Sequence, residues 1–198
     1  MFTNAVRKAN PRGDRFWSEI APCDHCVQIY GDELSFMDAL EGYVTSGLSK
    51  RESVIVLATA GHLHELEKRL RAKWLDVDRA RWEDRYIALL AQETLSLFME
   101  GGMIDEHRFT EVITSLLARA RGGVGRKVRA FGEMVAILWE QGHCAAAIEL
   151  EVLWSKLQAV EQFPLFCAYP RSGFGKNASA SIQSVCVAHS RVIPGYAG

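Results

Sequence analysis

Short apolar runs recur along the chain, and between them apolar residues fall at spacings of three and four. Residues 25–30, His-Cys-Val-Gln-Ile-Tyr, read as a first strand. Gly31-Asp32 ends it, and Asp32 can cap a helix on which Phe36, Met37, Leu40, Val44 and Leu48 form one buried stripe. Residues 53–58 are almost continuously apolar, as a parallel strand covered on both faces would be. Gly61 leads into a helix with Leu63, Leu66, Leu70 and Trp74 on one side, and residues 86–90 form a third strand after a short charged segment. Residues 93–100 read as a short helix stopped by Gly101-Gly102. Asp105 opens a longer helix with Phe109, Val112, Ile113, Leu116, Leu117 and Ala120 inward, ended by Gly122-Gly-Val-Gly125. A fourth strand covers 127–131. Helices follow over 133–139 and 143–162, broken at Gly142, the second with Leu150, Leu153, Leu157 and Val160 as its core stripe. Residues 165–169 make the fifth strand. The tail reads two ways: Ile182, Val185, Cys186 and His189 suit a helix, whereas Val185-Cys-Val-Ala188 suits a strand.

Strands alternating with helices predict an α/β domain of three layers, with a central, mainly parallel sheet of at least five strands. Right-handed crossovers place helices on both faces, and ligands of such sheets bind at the carboxyl ends of the strands. Residues 1–22 form a loose lead-in pinned by Phe16 and Trp17, and residues 23–198 one domain. The 198 residues, 48% hydrophobic, suffice for one core rather than two. With 23 basic and 24 acidic residues, no electrostatic footprint for nucleic acid or an anionic membrane follows. No apolar run is long enough to span a bilayer, and Arg7, Lys8, Arg12 and Arg15 are not followed by the apolar stretch of a secretory signal. A cytoplasmic location with five free thiols is the expectation.

The chemistry expected of a nucleotide enzyme is missing. A phosphate loop needs Gly-x4-Gly-Lys-Ser/Thr between strand and helix, so that backbone N–H groups wrap phosphate and the hydroxyl holds magnesium. The first strand is followed by Gly31-Asp-Glu-Leu-Ser35, whose carboxylates repel polyphosphate. The one near-match, Pro170-Arg-Ser-Gly-Phe-Gly-Lys176-Asn177, has Pro and Asn where Gly and the hydroxyl belong; it is the basis of the alternative reading, an ATPase with a non-standard loop. Cys23-Asp-His-Cys26 offers thiolate and imidazole, but no second pair completes four ligands, so no metal and no cofactor are expected. Cys144, Cys167 and Cys186 read as small core residues, with Cys167 set apart by its place near a strand's carboxyl end. Arg129 and Glu133 could both face the crevice there; Glu133 could equally cap the next helix, and Arg129 join an internal ion pair. Tyr30 and Tyr169 supply apolar walls with a polar handle. The candidate ligand site is therefore Tyr30, His62, Arg129, Glu133, Cys167 and Tyr169. No catalytic motif is present.

Residues 25–30, the Gly47-Leu48 helix end, residues 54–62, Arg129-Ala-Phe-Gly-Glu-Met-Val135, Leu150-Glu-Val-Leu-Trp154, Cys167-Ala-Tyr-Pro170 and His189-Ser190 together resemble the MEDS domain, the methanogen/methylotroph, DcmR-type sensory domain. The resemblance covers about residues 24–193. It implies a regulatory input module for small hydrocarbon-derived signals, a degenerate relative of the KaiC/RecA ATPases with its phosphate loop lost. Such domains are often fused to DNA-binding, histidine-kinase or anti-sigma modules. Here the chain stops soon after Ile193-Pro194, so the expectation is a stand-alone sensor acting through a homodimer or a separate kinase, anti-sigma factor or regulator. The helix over 143–162, with Trp139 and Trp154 nearby, and the tail over 178–193 are the surfaces suspected of contact.

Overall fold

The computed structural model describes residues 16–174 and 178–193. In chain order its strands are β1 (His25–Tyr30), β2 (Ser53–Ala58), β3 (Tyr86–Leu90), β4 (Met99–Glu100), β5 (Met103–Ile104), β6 (Val128–Gly132), β7 (Leu165–Pro170) and β8 (Arg191–Ile193). The helices are α1 (Glu33–Ser49), α2 (Ala60–Ala72), α3 (Val77–Trp82), α4 (Ala91–Ser96), α5 (Glu106–Arg121), α6 (Met134–Glu140), α7 (Cys144–Glu161) and α8 (Ala178–Val187). Six strands form one sheet in the order β3-β2-β6-β7-β1-β8, and every pairing in it is parallel.

That order decides which helix covers which face. The connections β1→β2 and β2→β3 run toward the β3 edge, whereas β3→β6, β6→β7 and β7→β8 run the opposite way. With right-handed crossovers, the first set lies on one face and the second on the other. The core divides accordingly. On the first face α1, α2 and α3 pack Phe36, Leu40, Tyr43, Leu66 and Val77 against Cys26, Val56, Phe131 and Phe166. On the second, α4 to α7 pack Leu95, Phe109, Leu138 and Trp154 against Val27, Ile55, Ala130 and Cys167. Successive residues of one strand thus enter different cores, because strand side chains alternate.

Local signals set the helix boundaries. Asp32, Asp76 and Asp105 each accept a backbone N–H two or three residues into their helices, at 2.8, 3.0 and 3.0 Å. α5 ends at Gly122, whose φ of 56° suits glycine. Trp17 is buried edge-on against Tyr43, with ring centroids 5.0 Å apart; residues 1–15 of the lead-in lie outside the described residues.

Several boundaries differ from the sequence reading. The helix expected over 93–100 is α4 followed by a β4–β5 hairpin, in which Gly101 and Gly102 adopt φ of 59° and 82°. Positive φ at both central residues is what a two-residue type I′ hairpin needs, so these glycines turn a strand pair rather than stop a helix. The charged segment before β3 holds the short helix α3. Trp74 lies beyond the end of α2 with φ 61° and is 94% exposed, so it is no part of that helix's core stripe. On α7, Val160 is exposed while Trp154 and Glu151 are buried; the stripe follows Ala147, Leu150, Trp154 and Leu157. Trp139 and Trp154 belong to the core rather than to a contact surface. The tail forms α8, and β8 beyond it pairs with β1. The phosphate-loop near-match ends at Lys176-Asn177, outside the described residues; its first part, Arg171–Phe174, is a single 3-10 turn.

Candidate functional site

The crossovers leave β2 and β6, which are neighbours, in opposite directions, so the switch-point crevice expected of such sheets falls at their carboxyl ends. Three chain segments converge there. Glu133 follows β6, where its N–H still pairs with Leu57 O at 2.9 Å. Its side chain does not cap α6. Instead Glu133 Oε2 accepts the Thr59 N–H at 2.8 Å, and Oε1 lies 2.6 Å from His62 Nδ1. His62 Nε2 meets Glu33, from the first turn of α1. Thr59 caps α2 by accepting the His62 N–H at 3.4 Å, which sets the ring between the two carboxylates. Burial pulls His62 down, but Glu133 and then Glu33 outweigh it, and its pKa stands above the ordinary 6.5. The Phe36 ring lies edge-on to His62 at 4.9 Å and stacks on Tyr30 at 4.7 Å. Burial, with Glu33 and Glu133 next, pushes Tyr30 up, so it stays a neutral phenol.

Tyr30, His62 and Glu133 are thus drawn to one crevice, and the other three sequence candidates are not. Arg129 points into the first face, four residues and one turn of the chain before Glu133. Its Nε donates to Glu52 at 2.7 Å, Nη1 donates to Tyr43 O at 3.1 Å, and the guanidinium lies 5.0 Å over the Tyr43 ring. The shared crevice expected for Arg129 and Glu133 is not formed: Arg129 is the second residue of β6 and meets Glu52 just ahead of β2, whereas Glu133 lies past the carboxyl end of β6, beside Thr59 and His62, so the length of the strand separates them.

Cys167 and Tyr169 lie on the second face in a buried polar cluster. Glu151 of α7 sits at its centre. Tyr169 donates to Glu151 Oε1 at 2.6 Å, and His189 Nε2 lies 3.4 Å from the same oxygen. His25 Nε2 stands 3.3 Å from Glu151 Oε2 and 3.5 Å from Cys167 Sγ. The His25 and His189 rings face each other at 4.1 Å. Burial would raise Glu151, but His189 and His25 outweigh it and hold the carboxyl well below its usual range. Burial lowers His25 and pushes the Cys167 thiol far up; for His189 the Glu151 carboxylate overrides burial and raises it. His25 and Cys26 point to opposite faces of β1, so Cys23-Asp-His-Cys26 does not converge on one ion. Cys26, buried on the first face, is pushed up to about 12 by burial first and by Asp24 second.

Sequence reasoning passed over Glu151, and it named Glu33 only among carboxylates that repel phosphate and His189 only in the tail pattern and the family resemblance, none of them as a site residue. Glu151 carried a signal: it lies between Leu150 and Trp154 on a helix whose apolar positions predict burial there, and a carboxylate in a core demands partners. For Glu33 the signal was its charge just after a strand, and for His189 its place in the His189-Ser190 segment of the family resemblance.

An open groove of about 410 Å³ lies apart from both clusters, between α4 and α5 beyond edge strand β3; it is lined mainly by Leu89, Leu97, Val112 and Leu116. Among the described residues no helix is long and apolar enough to cross a membrane. No curated protein matches the chain. The family model for the MEDS domain, the MEthanogen/methylotroph, DcmR Sensory domain, matches residues 24–189.

Proposed function

The chain belongs to the MEDS family of sensory domains, and from that premise we propose that it is a non-enzymatic input module that binds a small ligand at the β2/β6 crevice and hands the event to a protein partner. The observation that carries this reading is His62, held between Glu133 and Glu33 at the carboxyl ends of the strands, where ligands of parallel sheets bind. Two carboxylates and an imidazole there disfavour polyphosphate and suit a small, weakly polar molecule that can take over one hydrogen bond beside the Tyr30–Phe36 wall. Kinship with the KaiC/RecA ATPases is part of the proposal, and the all-parallel sheet with helices on both faces is compatible with it. A small hydrocarbon derivative is the ligand class that the family suggests.

Glu33 is the group that a ligand would displace in this scheme. Its side chain is 59% exposed, and it begins α1, so a ligand that displaces it acts directly on that helix. The partner would be a second copy, a kinase, an anti-sigma factor or another regulator. Ile148, Val152 and Val160, apolar and exposed along α7, are the contact surface we favour.

Titration calorimetry with short alcohols, amines and halocarbons, alongside ATP with magnesium, tests the reading. Expected is binding of one such class, weakened about tenfold by Glu133→Gln through loss of a charge-assisted contact, with no ATP hydrolysis. Tight magnesium–ATP binding lost in Lys176→Ala would replace it with the ATPase alternative. Ligand binding unaffected by Glu133→Gln but lost in Leu116→Arg would move the site to the groove beyond β3.

A further inference from the structure

We propose that the buried cluster of His25, Glu151, Cys167 and His189 binds one divalent transition-metal ion of the zinc class. Four residues with metal-ligating atoms lie within 4.8 Å of one another, all buried, and they come from four places in the chain: β1, α7, β7 and the segment after α8.

Distances support more than proximity. His25 Nε2, Cys167 Sγ and Glu151 Oε2 form a triangle with edges of 3.3, 3.5 and 3.8 Å. Zinc bonds of about 2.0 Å to nitrogen and oxygen and about 2.3 Å to sulfur, at tetrahedral angles, require edges of roughly 3.3 to 3.7 Å. The first two edges fit and the third is about 0.1 Å too long, so three corners are close to tetrahedral positions. His189 is the fourth ligand. Its side chain is fully buried, its Nε2 makes no hydrogen bond, and it lies 3.4 Å from Glu151 Oε1.

The surroundings orient these ligands as a metal shell requires. His189 Nδ1 lies 2.7 Å from Val185 O, and a carbonyl only accepts, so Nδ1 carries the proton and Nε2 is the nitrogen left for an ion. Tyr169 donates to Glu151 Oε1, leaving Oε2 to ligate. The donor set of two imidazoles, a thiolate and a carboxylate suits borderline ions such as zinc, cobalt(II) or ferrous iron rather than magnesium or calcium. Thiolate and carboxylate together balance a 2+ ion, which removes the cost of an isolated carboxylate in the core. Bound metal would also fasten the segment before β8 to the sheet, because His189 stands two residues before that strand and β8 pairs with β1. This site is independent of the β2/β6 crevice and stands or falls without it.

The test uses the full chain, freed of any affinity tag and stripped with a chelator, titrated with cobalt(II) and then zinc. Expected is one equivalent of cobalt with a thiolate-to-metal charge-transfer band and tetrahedral visible bands, both displaced by zinc. Cys167→Ser should lose the charge-transfer band. Tyr169→Phe, which leaves all four ligands, should weaken cobalt about tenfold to a hundredfold, and His189→Gln by more. Cys23→Ser, at an exposed thiol, should change nothing. Absence of stoichiometric binding overturns the site, as does a band that survives Cys167→Ser and vanishes in Cys23→Ser. If circular dichroism shows Cys167→Ser unfolded, Tyr169→Phe and His189→Gln decide: unchanged affinity in both overturns the proposal.

Discussion

His62 stands between two carboxylates, and that fixes the sign of its effect on stability. A histidine whose pKa is raised by folding contributes stability in full below its unfolded value, here 6.5, and loses that contribution as pH rises through the folded value. The melting temperature of the protein should therefore exceed that of His62→Gln by the widest margin below pH 6.5, and the margin should close as pH rises. A margin that grows with pH would mean that the ring is held neutral. Arg129 is a different case. Its side chain is only 1% exposed, and a Cβ added at Gly47 would sit 2.7 Å from its Nε and 2.8 Å from Val54 Cγ2. Gly47→Ala should thus cost about 1–3 kcal/mol by overpacking, measured by urea unfolding. Arg129→Ala, which strands Glu52 beside an emptied space, should cost about 3–5 kcal/mol.

Among the elements, α7 and the β4–β5 hairpin show how far periodicity carries. The stripe Leu150, Leu153, Leu157, Val160 takes a correct helix and turns its face slightly wrong, since the buried face also includes Ala147, Glu151 and Trp154. Trp154→Ala should cost about 3–5 kcal/mol, while Val160→Ser, at an exposed position, should stay within about 0.5 kcal/mol. Equal costs would restore the stripe read from spacing. In the hairpin, Gly101 and Gly102 both need positive φ. Gly102→Val should cost about 1–2 kcal/mol, the penalty of an L-residue in the left-handed region. The signal for this turn was present as a Gly-Gly pair between short apolar stretches, but the two strands are only two residues each, too short for alternation to show.

For the whole molecule, strand order predicts where the structure opens. β2, β6 and β7 are interior strands paired on both sides, and β8 is a three-residue edge strand. Native-state hydrogen exchange should find the slowest amides in β2, β6 and β7 and the fastest strand amides in β8. Loading the His25–His189 cluster with zinc should slow β8 selectively, because the ion would hold the residue two positions before it. Uniform slowing of the whole sheet would indicate global stabilisation instead.

The sequence by itself determined the five long strands, the main helices between them and the parallel α/β class, because alternation, helical spacing, caps and glycines act over a few residues. Tertiary structure alone decided which candidates meet. Strands 53–58 and 127–131 are neighbours only because the chain returns from edge strand β3 past β2 to pair β6 with it, and that brings His62 to Glu133. Tyr30 ends β1 while Cys167 lies mid-way along the adjacent β7, and they enter different cores, since parallel register sets Val27 beside Cys167 and alternation then sends Tyr30 to the other face. His25, Glu151, Cys167 and His189 span 165 positions from first to last, and no local pattern links them. Handed crossovers and strand register, which are long-range packing outcomes, place them around one point.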